Sequence, residues 1–117
     1  MRFNSREIAE IIHGVTSRIS RCDGSKVCEW DDLTEFQRNN ATRAVAKIYS
    51  EPQQTPKELH DLWMEPLIEN GWTCGEYSVE NKQHPSLLPF EELIDSEVLK
   101  DCIWSHLTQA FKDFHAE

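Results

Sequence analysis

No two lysines or arginines stand side by side anywhere in the 117-residue chain, and the 12 basic residues are outnumbered by 21 acidic ones, for a formal charge of −9. A phosphate backbone is bound through counterion release from a basic face, so nucleic acid is set aside as a partner, and an anionic membrane surface with it. The acids are scattered among helix caps and solvent faces and form no single block, so the charge does not make a DNA mimic. No apolar run approaches the roughly eighteen residues that span a bilayer. The opening "MRFNSREIAEII" carries charges where a signal peptide needs its apolar stretch, so the expected location is cytoplasmic. None of Cys22, Cys28, Cys74 and Cys102 forms a C-x-x-C pair and no H-E-x-x-H is present, so neither a metal site nor a cofactor is expected. In a reducing compartment the four cysteines are free thiols, with a Cys22–Cys28 bridge across "CDGSKVC" as the alternative.

Hydrophobic residues make up 38% of the chain and run along its whole length, which points to one folded domain. No internal repeat or low-complexity segment divides it. Asn4 and Glu7 form a capping-box pattern ahead of Ile8, Ile11, Ile12, Val15 and Ile19, which share one helical face; this predicts a helix over about 5–20. A second helix is predicted over about 33–50, capped by Asp31 or Asp32, with Leu33, Phe36, Ala44, Val45 and Ile48 on its apolar side. Thr55, Pro56 and Glu58 supply a cap, a first-turn proline and an acid for a third helix carrying Leu59, Leu62, Trp63 and Leu67. Pro66 predicts a kink or split in it, and Asn70-Gly71 its stop. The last helix, about 96–114, presents Leu99, Cys102, Ile103, Leu107, Ala110, Phe111 and Phe114. The fold expected is mainly α: a single-domain helical bundle with a long irregular loop and room for one short β-hairpin.

The irregular stretch is "GWTCGEYSVENKQHPSLLPF", residues 71–90. Together with what precedes it, "HDLWMEPLIEN", it resembles the repeat domain of ryanodine receptors, the RyR domain, which also occurs in bacterial and phage proteins. That pattern places His-x-x-Trp on a helix, then Gly-Trp-Thr-Tyr-Gly, a loop with an Asp-Asn-Lys-like triplet, and His-Pro-x-Leu with an aromatic before a short helix. The matching residues are His60, Trp63, Gly71, Trp72, Thr73 and Gly75, then Asn81, Lys82, His84, Pro85, Leu87, Leu88, Pro89, Phe90 and Leu93. The resemblance covers about 58–94, with helices before and after it. Three departures stand out. Cys74 replaces the Tyr, Ser78 stands near a loop Arg's place, and the loop between Lys82 and His84 is one residue short. An anion-holding role for that Arg is therefore not carried over.

The resemblance implies a helical module with no catalytic chemistry. In the giant channels paired repeats form a nucleotide-accommodating cleft and a regulatory surface; in microbes such domains look like ligand-sensing or interaction modules. The candidate ligand-binding residues are Trp63, Trp72, Gly75, Tyr77, Asn81, Lys82, His84 and Pro85. Trp72 offers a ring for a purine or plugs the core. Trp63 lies on an apolar stripe and equally reads as core. Gly71 and Gly75 permit close approach or a tight loop. His84, held extended by Pro85, reaches into a cleft or ties down its loop. Lys82 meets a phosphate or pairs with Glu76 or Glu80. Tyr77 stacks or anchors, and Asn81 reads a base edge or caps a turn. Trp104, one position off the last helix's stripe, completes a cleft wall, a dimer contact or an ordinary half-buried site.

Enzyme chemistry finds little footing. Cys74 and His84 lack a third orienting group, and the adjacent pairs Asp31-Asp32 and Glu91-Glu92 sit where helix caps are expected. Two functions remain. The first is a small-ligand-binding module for a nucleotide or nucleotide-derived signalling molecule, in one version a phage-type protein that sequesters an immune messenger. The second is an interaction module or adaptor without a small ligand, anchored by Trp104 or Trp30. Because two repeats build the channel cleft, a single repeat would need a second copy, so a homodimer belongs to either reading.

Overall fold

The computed structural model describes residues 2–22 and 28–115. Four helices make the frame: α1 Ser5–Cys22, α2 Glu35–Ser50, α3 Pro56–Glu69 and α4 Asp95–His115. Two predicted capping boxes close as read. Asn4 Oδ1 accepts from Glu7 N–H at 2.8 Å while Glu7 Oε1 accepts from Asn4 N–H at 3.0 Å. At α3, Thr55 Oγ1 accepts from Glu58 N–H at 3.1 Å. The cap of α2 differs from expectation. Asp31 and Asp32 belong to a separate 3₁₀ turn, Trp30–Asp32, and Thr34 caps α2 in a box with Gln37. The Cys22–Cys28 alternative lies outside the described residues.

The core gathers Ile8, Ala9 and Ile12 of α1, Trp30 and Val45, with Ile103, Trp104, Leu107 and Phe111 of α4 packed against them. α1 buries a narrower seam than its isoleucines predict, leaving Ile11 and Val15 37% and 43% exposed. The seam continues from Ile8 and Ile12 through Thr16 and Ser17, both buried. Their hydroxyls bond carbonyls of their own helix, Thr16 to Ile12 O at 3.0 Å and Ser17 to Gly14 O at 3.2 Å, so burial leaves neither unsatisfied. α4 is turned in the same way. Its buried residue is Thr108, while Leu99 and Phe114 are exposed and Trp104, expected off the stripe, faces inward. Trp30 is buried in this packing and Trp104 is half-buried against it. No helix among the described residues is long and apolar enough to cross a membrane.

The sequence leaves room for a hairpin after α3; the two short strands there, β1 Thr73–Cys74 and β2 Gln83–His84, instead pair in parallel. The segment between them turns back first through an antiparallel bridge of Ser78 to Gln83. Parallel pairing needs the chain to loop round between its strands. Residues 75–82 make that loop, which sets β2 and the following His84-Pro85-Ser86 over α3.

Candidate ligand-binding cleft

Pro66 sits inside α3 without splitting it. A helical proline has no N–H for the carbonyl four residues back, here Leu62, and crowds the preceding turn. α2 supplies the missing donor and bonds the next carbonyl as well. Arg43 Nη2 donates to Leu62 O at 2.6 Å, and Asn40 Nδ2 donates to Trp63 O at 2.9 Å. The second bond fixes the orientation of the Asn40 amide. Asn40 is only 7% exposed, and its Oδ1 is left with no donor among the described residues. A buried acceptor in that condition costs about 1–3 kcal/mol.

α3 ends in a Schellman turn. Trp72 N–H donates to Leu67 O and Gly71 N–H to Ile68 O, both at 3.0 Å, and Gly71 takes a φ of +85°. The turn swings Trp72 under the loop, where it is buried. β1 and β2 then bring His84 above Trp63. The result is a cleft of about 380 Å³ whose walls come from α1, α2, α3, the loop and α4 of one chain.

Five of the sequence-predicted residues line this cleft: Trp63, Trp72, Tyr77, His84 and Pro85. Gly75, Asn81 and Lys82 do not. The close approach that Gly75 permits is taken by the Gln83 side chain, whose Cδ lies 2.8 Å from where a Cβ would stand. Asn81 works in a turn, its N–H donating to Ser78 Oγ at 3.0 Å. Lys82 adopts a left-handed φ of +54°, and its Nζ donates to Asn70 O at 3.0 Å, closing the loop onto the end of α3. Cys74 Sγ lies toward Pro85 O, 3.7 Å away, outside the cleft lining.

Rings run in series along the cleft. His60 lies between Phe90 and Trp63 at centroid separations of 6.1 and 5.6 Å. His84 meets Trp63 and Tyr77 in T-shaped contacts, at centroid separations of 4.9 and 5.5 Å. Gln37 Nε2 of α2 donates to the Tyr77 hydroxyl at 3.0 Å and holds the loop to the frame. Ser86 N–H donates to His84 Nδ1 at 3.0 Å, which assigns the proton of the neutral ring to Nε2. Burial holds His84 down to about 4, so the ring is neutral at physiological pH.

The polar wall opposite was not legible as a site. His60 Nε2 stands 2.7 Å from Leu88 O, and because a carbonyl only accepts, Nε2 carries the proton. His60 Nδ1 then faces Asp101 Oδ2 at 3.6 Å. Burial, reinforced by Glu97, pushes Asp101 up to about 7. Lys100 Nζ pairs with Glu97 Oε1 at 2.9 Å. Trp104 closes this side. Two of these residues carried a usable signal. His60 lies three residues before Trp63 on one helical face, and Asn40 is a polar residue at the four-residue spacing of Phe36 and Ala44. Asp101 carried none: an acid beside Cys102 on a helix reads as solvent-facing. Among the described residues no group of three His, Cys, Asp or Glu side chains is placed to hold a metal ion.

No curated protein and no solved structure matches the chain. A family model, the RyR domain, matches residues 32–112, which take in α2, α3, the looped strands and nearly all of α4. The match spans well over half the sequence and includes most of the cleft's walls: this chain belongs to the RyR domain family.

Proposed function

We propose that this chain is a small-ligand-binding module whose ligand is a nucleotide or a nucleotide-derived signalling molecule. The observation that carries the reading is the convergence of Trp63, Trp72, Tyr77 and His84, drawn from a helix, a helix stop and a loop, on one cleft. Its volume lies in the range of about 300–1,000 Å³ typical of small-molecule sites. Stacking of a base on an aromatic ring contributes about 1–3 kcal/mol. His84 Nε2–H is a fixed donor at the same wall. Lys82 is committed to Asn70 O and lies outside the cleft, and Lys100 is paired with Glu97, so the walls offer a base more than they offer a phosphate. The base belongs inside and any phosphates toward solvent.

Trp63, Trp72 and Trp104 line the cleft while Trp30 does not, so indole fluorescence reports occupancy. Titration with adenosine, AMP and ATP should give a saturable change for at least one of them, weakened at least tenfold in Tyr77→Ala. Tyr77 is exposed at the mouth, so its truncation spares the core. Fluorescence unchanged by all three, beyond the dilution control, overturns the reading.

A further inference from the structure

The cleft is aromatic and, on balance, anionic. Trp63, Trp72, Trp104 and Tyr77 line it, and an aromatic ring carries a negative face. The fixed charges on its walls are Glu97, Lys100 and Asp101, all from α4, and the first two pair with each other. Of the histidines that line it, His84 is held neutral by burial. His60 and His13 each bring Nε2 within 2.7 Å of a backbone carbonyl, Leu88 O and Cys28 O, which fixes the proton there in the neutral ring. Asp101, 20% exposed, faces His60 Nδ1 at 3.6 Å; Glu97 adds to its negative field and Lys100 offsets part of it. Asn40, on the α2 side of the same cleft, adds a buried Oδ1 that lacks a donor among the described residues. Around these lies a chain of formal charge −9.

We propose that the heterocycle this cleft takes carries a positive charge, as an N-alkylated pyridinium or purinium does, and sits between the indole rings and the Asp101 carboxylate. The inference rests on the nucleotide reading above and narrows it. A cation over an indole face gains about 0.5–2 kcal/mol, the larger part when desolvated. The buried carboxylate adds attraction that solvent screens poorly. A polyphosphate meets the same field with the opposite sign. Binding is also coupled to a proton. A cation beside Asp101 favours its ionised form and drives the proton off. Since Asp101 titrates at about 7, the carboxyl is about half protonated at pH 7, and a bound cation releases up to about half a proton.

Isothermal titration calorimetry of the full chain at pH 7 tests this with two pairs that differ in N-methylation and charge: 1-methylnicotinamide against nicotinamide, and 1-methyladenosine against adenosine. Runs in phosphate and in Tris separate proton release from binding heat. The expected result is that the cation of at least one pair binds about tenfold tighter or more, in line with the gain from an indole face and a carboxylate, and releases protons. In Asp101→Asn the preference should fall below about threefold and the proton release should vanish, since the isosteric amide carries no charge. The wild-type comparison and the proton count stand even if that variant folds poorly. Neutral members binding as tightly as cations in both pairs overturns the charge assignment and leaves the nucleoside reading intact. A cation preference that survives Asp101→Asn overturns the role of Asp101. Failure of all four compounds to bind overturns both.

Discussion

Gly71 ends α3 at a φ of +85°, and a Cβ there would meet nothing within 4 Å. The cost of a side chain at this position is therefore conformational and not steric. Gly71→Ala should destabilise the fold by about 1 kcal/mol, read as a lower urea midpoint with unchanged slope. A change below about 0.3 kcal/mol would contradict the turn's role. Asp101 and His84 set opposite pH dependences. Asp101 is held at about 7, above its ordinary 3.8, so between those values the folded chain keeps a proton that the unfolded chain has lost. Its contribution to stability is present below about 4 and is lost as pH rises to 7. His84 is held at about 4, below 6.5, so its contribution is present above 6.5 and is lost as pH falls to 4. Asp101→Asn removes only the first effect. Relative to wild type it should gain on the order of 4 kcal/mol in unfolding free energy between pH 4 and pH 8. Equal differences at the two pH values would show that the carboxyl is not desolvated.

At the scale of the element, α3 depends on α2 because of one proline. Arg43 and Asn40 bond the carbonyls beside Pro66, so removing a donor costs more while the proline is present. Arg43→Ala should cost about 1 kcal/mol in the natural chain and measurably less in Pro66→Ala, where Leu62 O regains a helical N–H. Additive costs in this double-mutant cycle would separate the two residues. The same elements show what the sequence makes legible. Capping boxes at Asn4 and Thr55 close within three residues and are read directly. The buried faces of α1 and α4 are misjudged by counting apolar residues, because Thr16 and Ser17 are buried by bonding their own helix and Thr108 is buried in α4. The pairing of Thr73–Cys74 with Gln83–His84 depends on a loop that closes through Ser78, Lys82 and the end of α3, which no local pattern encodes.

At the scale of the whole molecule, the cleft draws one wall from each of several elements far apart in sequence. Its aromatic half was legible because Trp63, Trp72, Tyr77, His84 and Pro85 fall inside one recognisable segment. Its polar half, with Asn40 on α2 and Glu97, Lys100 and Asp101 on α4, exists only once the helices pack. Gly75, Asn81 and Lys82 share the segment but serve the loop, since a short parallel pair needs its turn residues as much as a ligand would. The chain therefore works as a frame that holds one ring-lined cleft. Native mass spectrometry tests this most directly, on the chain as gently purified and after mixing with nucleosides and nucleotides, followed by denaturing analysis of whatever is released. The account predicts a complex of one base-containing small molecule per chain. A spectrum showing only the bare chain under both conditions would contradict it.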